Sequence, residues 1–600
     1  MNIPHTTNHL TMQNLINCYI KETGKGVWKD ARQEALPIDK KHEYVLVIPL
    51  MSLSVTLYVP VRYKSMTGRH LFSSNMYYQV QKSEVKQLDF VTLILYLQKD
   101  LAEMSAKPIQ SEELMLRTIL SYQTMKGIFS QRSDNLDECY QSEKTFLQSE
   151  QSLLIGHQTH PTPKSRQGID EHEEYIFTPE RKGSFQIHYF RVKKELIEED
   201  SILPQSATSL IKEELKRDTF ITENFKKMYC REDNYSLVPV HPLQARKLLG
   251  REEILKQIQS GGISYLGPRG RKFYPTSSIR TVYHQNAQYM YKFSIPVKIT
   301  NSLRVNKRKE LDRGVEVSRL LQHLITRNLD ELHPSFKIIE DPAYITVKLG
   351  KEDESGFETV IRENPFQADN AQRITLIAGL CQDNIGKNRS HLSNIIHQAA
   401  ERRHLSVGQA SEEWFRRYLN VSLRPLYWIY TAYGIALEAH QQNSLIKLGE
   451  DGFPETFYYR DNQGYYFMKS KAQNLEQALP NLNEKSDTIC ADSIAEERFR
   501  YYFFFNHLFG LINAFGVNHL IEEHRLLRML KEELNALLEE YGDSTNLIVS
   551  LLNDEMLPCK ANLLTRVHDM DELVGSLETQ SIYTSVENPL FKMAGELYEV

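Results

Sequence analysis

The sequence predicts an α+β protein built from antiparallel sheets and amphipathic helices. Strand-like runs come in adjacent pairs joined by short turns, at 43–61, 289–299 and 445–459, which is hairpin spacing. Helical period fills the intervals, most plainly at 88–101, 112–125, 414–430 and 520–541. At 600 residues the chain exceeds what one core serves and should divide into about two to four domains.

Composition narrows the function classes. Apolar residues make up 41% and charged residues 25% of the chain, the balance of a soluble globular protein. Lys and Arg number 72 against 77 Asp and Glu, a net charge of -5, so nothing global argues for nucleic acid and any anion site must be local. Cys18, Cys139, Cys230, Cys381, Cys490 and Cys559 are scattered without a CxxC pair. That argues against a zinc ribbon or a disulfide framework and fits a reducing cytoplasm. The N-terminus has neither the basic nor the apolar region of a signal peptide. The most apolar run, 501–517, carries Asn506, His507 and Asn513 and is shorter than the roughly 20 residues a membrane helix needs. A buried helix is expected there, and no membrane association.

Taken in order, residues 11–22 have helical period and 43–61 alternates as strands broken at Pro49. Up to about residue 130 no pattern suggests chemistry, and a structural role is expected. The polar stretch 131–151 reads as a boundary. Next comes GHQTHPTPKSRQG, 156–168, stiffened by Pro161 and Pro163, so that His157, His160, Lys164, Ser165 and Arg166 project from one loop. An anion site and an ordinary surface loop are both open; a metal site lacks a third ligand. Residues 207–230 form a charged helix, and the strand 236–240 is cut short at Pro242. The glycines at 261, 262, 267 and 270 match neither GxxxxGK[ST] nor GxGxxG, so side chains would hold much of the phosphate of any bound nucleotide.

The stretch 276–306, TSSIRTVYHQNAQYMYKFSIPVKITNSLRVN, organises the rest. Arg280, Lys292, Lys298 and Arg304 are threaded among Thr276, Ser277, Ser278, Thr281, Thr300 and Ser302 on two strand-like runs, 289–294 and 295–299. Guanidinium groups grip carboxylate or phosphate through two parallel hydrogen bonds. A floor for phosphate and carboxylate is expected, with a solvated basic hairpin as the alternative.

Helical period then runs to about 329, followed by strands at 343–348 and 358–362 and a helix from Trp414 that Gly434 allows to end. Beyond it, Glu438, His440 and Gln442 share a face if their loop is extended, and Asn443 opens a strand. Its partner strand returns to Arg460-Asp461-Asn462-Gln463-Gly464. Helix, polar loop with Asn, hairpin, then Asp before Gly is the plan by which kinase-like lobes present Asn and Asp to magnesium and phosphate. A lone Asp in a turn is ordinary turn chemistry; the company of Glu438, His440 and Asn443 makes Asp461 a candidate ligand. A long exposed loop is expected at 470–495, a core helix at 498–512, a leucine-striped helix at 520–541, and at 560–566 a helix whose two cations belong either to a site or to a solvated end.

GHQTHPTPKSRQG, VPVHPLQ, TSSIRT, KITNSLR, EAHQQN, RDNQG, the 498–507 helix and KANLLTR follow one another as in the NRPS-independent siderophore (NIS) synthetases. Over residues 130–600 the chain resembles the aerobactin-synthetase, or IucA/IucC, family, with greatest likeness to the branch that joins spermidine to citrate in petrobactin assembly. The resemblance implies a cupped hand: a thumb at 1–130, fingers at 131–365 with the ATP-phosphate site, and a kinase-like palm at 366–600 with the citrate and magnesium site. It implies that a citrate carboxylate attacks the α-phosphate of ATP, that pyrophosphate leaves, and that an amine takes the citryl group from AMP. ATP would be held by His160, Lys164, Arg166, Ser278, Arg280, Thr281, Lys292 and Asn443. Citrate would be held by Arg304, His440, Arg498, Tyr501 and Lys560, and magnesium by Glu438 and Asp461. The partners implied are citrate and a polyamine, in a homodimer. Where some members carry HPWQ, this chain has His241-Pro242-Leu243-Gln244, which touches only a packing role. The attacking amine must be neutral, so a general base or desolvating pocket is required, and the sequence assigns none; Glu438 or Glu363 could meet a polyamine's remaining charges. Other amines or amino alcohols fit the same pattern. A small-molecule kinase would share Asn443 and Asp461, and a citrate- or ferric-siderophore-binding protein would share the cations without needing Asp461.

Overall fold

Asn2 caps the first helix, Ile3–Thr23, and Gly24 ends it at φ 68°, the left-handed conformation that costs glycine nothing. Its buried face, Met12, Leu15, Ile16 and Tyr19, packs with Leu46, Ile48, Leu57 and Val59 of a six-stranded antiparallel sheet spanning residues 27–87. Helices Phe90–Met104 and Ser111–Arg132 complete this region. The computed structural model describes residues 2–33, 42–105, 111–350, 354–386, 388–461, 463–543, 545–570 and 581–591. Pro49 does not break the strand Tyr44–Leu50; the turn falls at Met51–Leu53, before Val55–Tyr63.

The central layer is an eight-stranded antiparallel sheet. Its order is Tyr235–Val240, Phe185–Lys193, Ile263–Pro275, Thr281–Tyr283, Tyr289–Phe293, Thr359–Glu363, Ala343–Val347, Ile197–Ser201. Two register shifts in Ile263–Pro275 bend the sheet, as β-bulges do. The region 207–230 is two helices, Ala207–Arg217 and Glu223–Tyr229. Pro242 does not merely stop a strand: it occupies the first turn of helix Pro242–Leu249, capped by the buried His241, where its missing N–H costs nothing.

The expected single hairpin at 276–306 is two. Thr281–Tyr283 pairs with Tyr289–Phe293 in the large sheet, whereas Lys298–Ile299 pairs with Ser302–Leu303 in a separate three-stranded sheet completed by Arg166–Gln167. The proline-stiffened loop is thereby bonded beside the second hairpin. Ile295 and Pro296, between the two, divert the chain out of the first sheet.

The C-terminal region holds the largest core, in which Trp414, Tyr418, Phe457, Phe503, Leu511 and the stripe Leu526, Leu527, Leu530, Leu534 and Leu537 meet. Each such side chain contributes roughly 1.5–3 kcal/mol of apolar burial. A four-stranded sheet, in the order Phe336–Ile339, Pro454–Arg460, Ser444–Leu448, Ile374–Leu376, lies against it. Residues 470–495 are not one loop: they contain helix Ala472–Ala478, strand Ile489–Cys490 and the start of helix Asp492–Phe499. All six cysteines are buried and none is in a disulfide. Among the described residues no helix is long and apolar enough to cross a membrane.

Candidate functional site

The first hairpin supplies a rigid floor. Thr276 and Thr281 close the turn before it through the bond from Thr276 N to Thr281 O at 2.9 Å, and Ser278 Oγ accepts the Thr281 amide at 3.2 Å. Ile279 is held at φ 66°, a strained conformation for a β-branched residue. Buried Glu150 fastens this turn to the C-terminal sheet by accepting from Ser277 N at 2.7 Å and from Arg460 Nη1 at 2.6 Å. Arg280 is buried and donates to Asn306 Oδ1 at 2.8 Å and Gln463 Oε1 at 3.3 Å.

Across the cleft Asp461, at φ 99°, receives Lys292 Nζ at 2.8 Å and lies 3.8 Å from Arg362. Arg362 is itself held bidentately by Asp341, at 2.6 and 2.9 Å. Burial alone would push the Asp461 carboxyl up; Lys292 and Arg362 outweigh it and hold it well below the usual range. Burial draws the Lys292 ammonium down to about 8 against the upward pull of Asp461. Asn462, beside them, lies outside the described residues.

Gly434, at φ 68°, ends helix Leu423–Tyr433 and strand Ile435–Leu437 leads into Glu438. Residues 441–443 then form a turn, so Glu438, His440 and Gln442 do not share one extended face. His440 Nδ1 accepts the amides of Gln442 and Asn443 at 3.1 and 3.2 Å. The ring therefore carries its proton on Nε2, which points toward Glu438 Oε1 at 3.8 Å. Burial lowers the His440 pKa to about 4; it is a neutral hydrogen-bond donor at pH 7. Asn443 Nδ2 donates to Glu438 O at 3.1 Å, and Tyr466 Oη to Glu438 Oε2 at 3.3 Å. Beneath this loop His507 Nδ1 donates to Ala439 O at 2.7 Å and the Tyr418 hydroxyl meets the other ring nitrogen.

At the far end, Arg498 donates to Tyr583 Oη at 2.5 Å and lies 5.8 Å from the Tyr466 ring centre. Lys560 Nζ lies 5.8 Å from the ring centres of both Tyr501 and Tyr502. These tyrosines begin a π-helical stretch, Arg500–Leu508, a distortion frequent at functional sites. Lys560 ends strand Met556–Lys560, and Arg566, on helix Asn562–Val567, is wholly buried, so neither is a solvated helix end. Arg304 Nη2 donates to Ile299 O at 3.4 Å and Thr300 Oγ1 at 3.5 Å.

One cavity of about 330 Å³ is lined by His160, Lys164, Arg166, Ser278, Arg280, Thr281, Lys292, Arg304, Glu438, His440, Asn443, Asp461, Arg498, Tyr501 and Lys560 together, every residue that the family resemblance implies for ATP, citrate and magnesium, whereas Ser165 and Lys298 stand outside it, Lys298 beside Asp569. Lys164 and Arg166 reach it with their charges already met, since both bind the buried Glu180. His160 Nδ1 accepts the Thr162 amide at 3.1 Å, which places its proton on Nε2. Glu363 is absent from the lining and sits beside Glu340 instead. Arg362, Arg460, Asn301, Tyr466, Tyr502 and Asn562 also line the cavity and are not expected from the sequence; Arg460 and Asn562 stand inside RDNQG and KANLLTR, and an arginine within the apolar strand TVIRE is the available signal for Arg362. Among the described residues the lining has twelve Lys and Arg against four Asp and Glu, an excess that suits polyanions. No group of three or more His, Cys, Asp and Glu gathers as a metal cage among them. Glu438 and Asp461 fit the one or two carboxylates with which a protein holds phosphate-bound magnesium.

The model of the IucA / IucC family matches residues 145–382, and that of the ferric iron reductase FhuF-like transporters matches 412–575. The chain is 46% identical to a spermidine-citrate ligase of Bacillus anthracis, over 97% of this chain and 98% of the relative. It is 34% identical to the rhizobactin siderophore biosynthesis protein RhbC of Rhizobium meliloti (strain 1021), over 98% of each. Its fold matches that of ATP-bound aerobactin synthetase IucA from a hypervirulent pathotype of Klebsiella pneumoniae with a TM-score of 0.86 at 24% identity, covering 97% of this chain and 99% of the other.

Proposed function

Because this chain belongs to the IucA/IucC family, we propose that it is an ATP-dependent ligase that adenylates a citrate carboxylate and condenses it with a polyamine, spermidine foremost. AMP and pyrophosphate are the other products, and the citryl amide serves siderophore biosynthesis. The observation that carries this reading is the gathering, in one cavity, of the hairpin cations, the Glu438–Asn443 turn and the Arg498–Tyr501–Lys560 end. Likeness to a spermidine-citrate ligase across nearly the whole chain supports the choice of amine.

Ser278, Arg280, Thr281, Lys292 and His160 line the face proposed for the triphosphate. There, fixed cations stabilise charge that builds on the α-phosphate during attack more than they stabilise the ground state. Magnesium, held by Glu438 and Asp461 with the phosphates, would add charge neutralisation. Arg304, Arg498 and Lys560 face the citrate carboxylates, and His440 contributes its Nε2–H. A ring whose Nε2 already bears the proton does not take one from the amine, so His440 orients citrate. The reading includes a homodimer and a cytoplasmic location, the latter supported by six buried thiols.

The test is pyrophosphate release by purified protein with ATP, magnesium and citrate against spermidine, putrescine, cadaverine and ethanolamine, with mass analysis of products. Amine-dependent release with a citryl amide is expected, spermidine giving the highest kcat/KM. ADP as the product would replace the ligase by a kinase, and tight citrate binding without nucleotide turnover would replace it by a binding protein.

A further inference from the structure

Two arginines that the proposed chemistry does not use meet behind the citrate end of the cavity. Arg117, on helix Ser111–Arg132 of the N-terminal region, is wholly buried and donates to the Thr300 carbonyl and to Glu113. Arg566 comes from the other end of the chain, is equally buried, and donates to the same carbonyl at 3.3 Å and to Asn301 Oδ1 at 3.2 Å. Asp569 pairs with Arg566 and lies 3.5 Å from Arg117. Neither arginine lines the cavity, but Thr300, Asn301 and Arg304 do.

The carbonyl they share belongs to a residue under strain. Thr300 stands at φ 51°, a conformation that a β-branched residue keeps only where its surroundings hold it. Through Ile299 O and Thr300 Oγ1 the same turn receives the Arg304 guanidinium. We infer that Arg117 and Arg566 are positioning residues for Arg304: they lock the strained turn 299–302 from behind, so that Arg304 and Asn301 face the citrate carboxylates. The N-terminal region thus acts on carboxylate recognition without touching the substrate. The inference rests on the citrate reading for the role of Arg304.

Arg117→Ala leaves Glu113 and Asp569 short of a partner and can unfold the chain. Arg117→Lys, which keeps the charge but loses the planar fork, is therefore measured beside it. Hydrogen exchange by mass spectrometry and steady-state pyrophosphate release are the two readouts. In folded variants faster exchange should be confined to the peptide spanning 297–304. The KM for citrate should rise about tenfold while the KM for ATP stays within about twofold, the pattern of lost substrate positioning. Unchanged exchange at 297–304 in Arg117→Lys overturns the inference, as does a parallel loss toward citrate and ATP. If the wild-type protein shows no citrate-dependent pyrophosphate release, the synthetase reading fails, and the exchange pattern still decides whether Arg117 holds the turn.

Discussion

Asp461 is constrained in three ways: a positive backbone φ, a buried lysine at 2.8 Å and an arginine at 3.8 Å. Asp461→Asn keeps the shape and removes the charge. Turnover should fall by at least about a hundredfold while citrate binding, measured by calorimetry, stays within about threefold, because the loss falls on developing phosphate charge. Turnover at the wild-type level would sink the magnesium assignment. His440 makes a different prediction. With its pKa drawn from 6.5 down to about 4 by burial, it is neutral throughout pH 5.5–8. The citrate kcat/KM should therefore show no break near 6.5 that disappears in His440→Gln, and Gln, which retains an N–H donor, should keep more activity than Ala. The cations were legible as residue types because a polyanion site needs them. The capture of Lys164 and Arg166 by Glu180 was not, since the partner stands 14 to 16 positions away in a segment with no pattern of its own.

At the scale of elements, strand partners decide what the sequence left open. The run 289–299 alternates as strand throughout, yet its two halves enter different sheets, and periodicity carries no information about which partner a strand takes. The helix end at Gly434 and the leucine stripe are legible because a glycine cap and a repeat near 3.6 residues are local signals, but the one helix expected from Trp414 is two, Val407–Val421 and Leu423–Tyr433, divided at Ser422. The helices inside 470–495 are not legible, being short and polar. The adjacent strands Ala343–Val347 and Thr359–Glu363 bring Glu340 and Glu363 together. Burial first, and the neighbouring Glu363 next, push the Glu340 carboxyl up to about 8. The folded state then keeps a proton that the unfolded chain loses near 4.5, so stability falls as pH rises from about 4.5 to 8. Glu340→Gln should flatten that fall and raise stability at pH 8 by on the order of 2 kcal/mol, read from urea melts at pH 5 and 8. Equal slopes in both proteins would contradict the buried proton.

At the scale of the whole molecule, the cavity is assembled from parts far apart in the chain, and this was the least legible level, because no local pattern states which surfaces meet. Buried clusters within 12–114 and 177–361 lie inside the division proposed at residues 130 and 365, while others cross it: Leu10 and Phe129 pack with Leu154, Phe146 and Tyr283 with Phe366, and the segment 317–336 with the C-terminal core. Helix Asn562–Val567 crosses further still. Leu563 and Val567 are buried in the N-terminal core, and Glu22 of the first helix caps their helix by accepting the Leu563 and Leu564 amides at 2.8 Å each. Lys560 and Asn562, immediately before them, line the end of the cavity proposed for citrate. If the docking of helix Asn562–Val567 on the first helix fixes where Lys560 stands, loosening it should reach the cavity. Leu563→Ala, which leaves a cavity in that core, should cost about 2–5 kcal/mol of stability. It should also raise the KM for citrate more than the KM for ATP, most of whose proposed contacts, Ser278, Arg280, Thr281, Lys292 and Asn443, stand away from this helix, although the loop carrying His160 accepts from Asn562 through Thr159 O. A variant with a lowered Tm and wild-type citrate KM would show that Lys560 is held by its own strand, Met556–Lys560, without help from the N-terminal region.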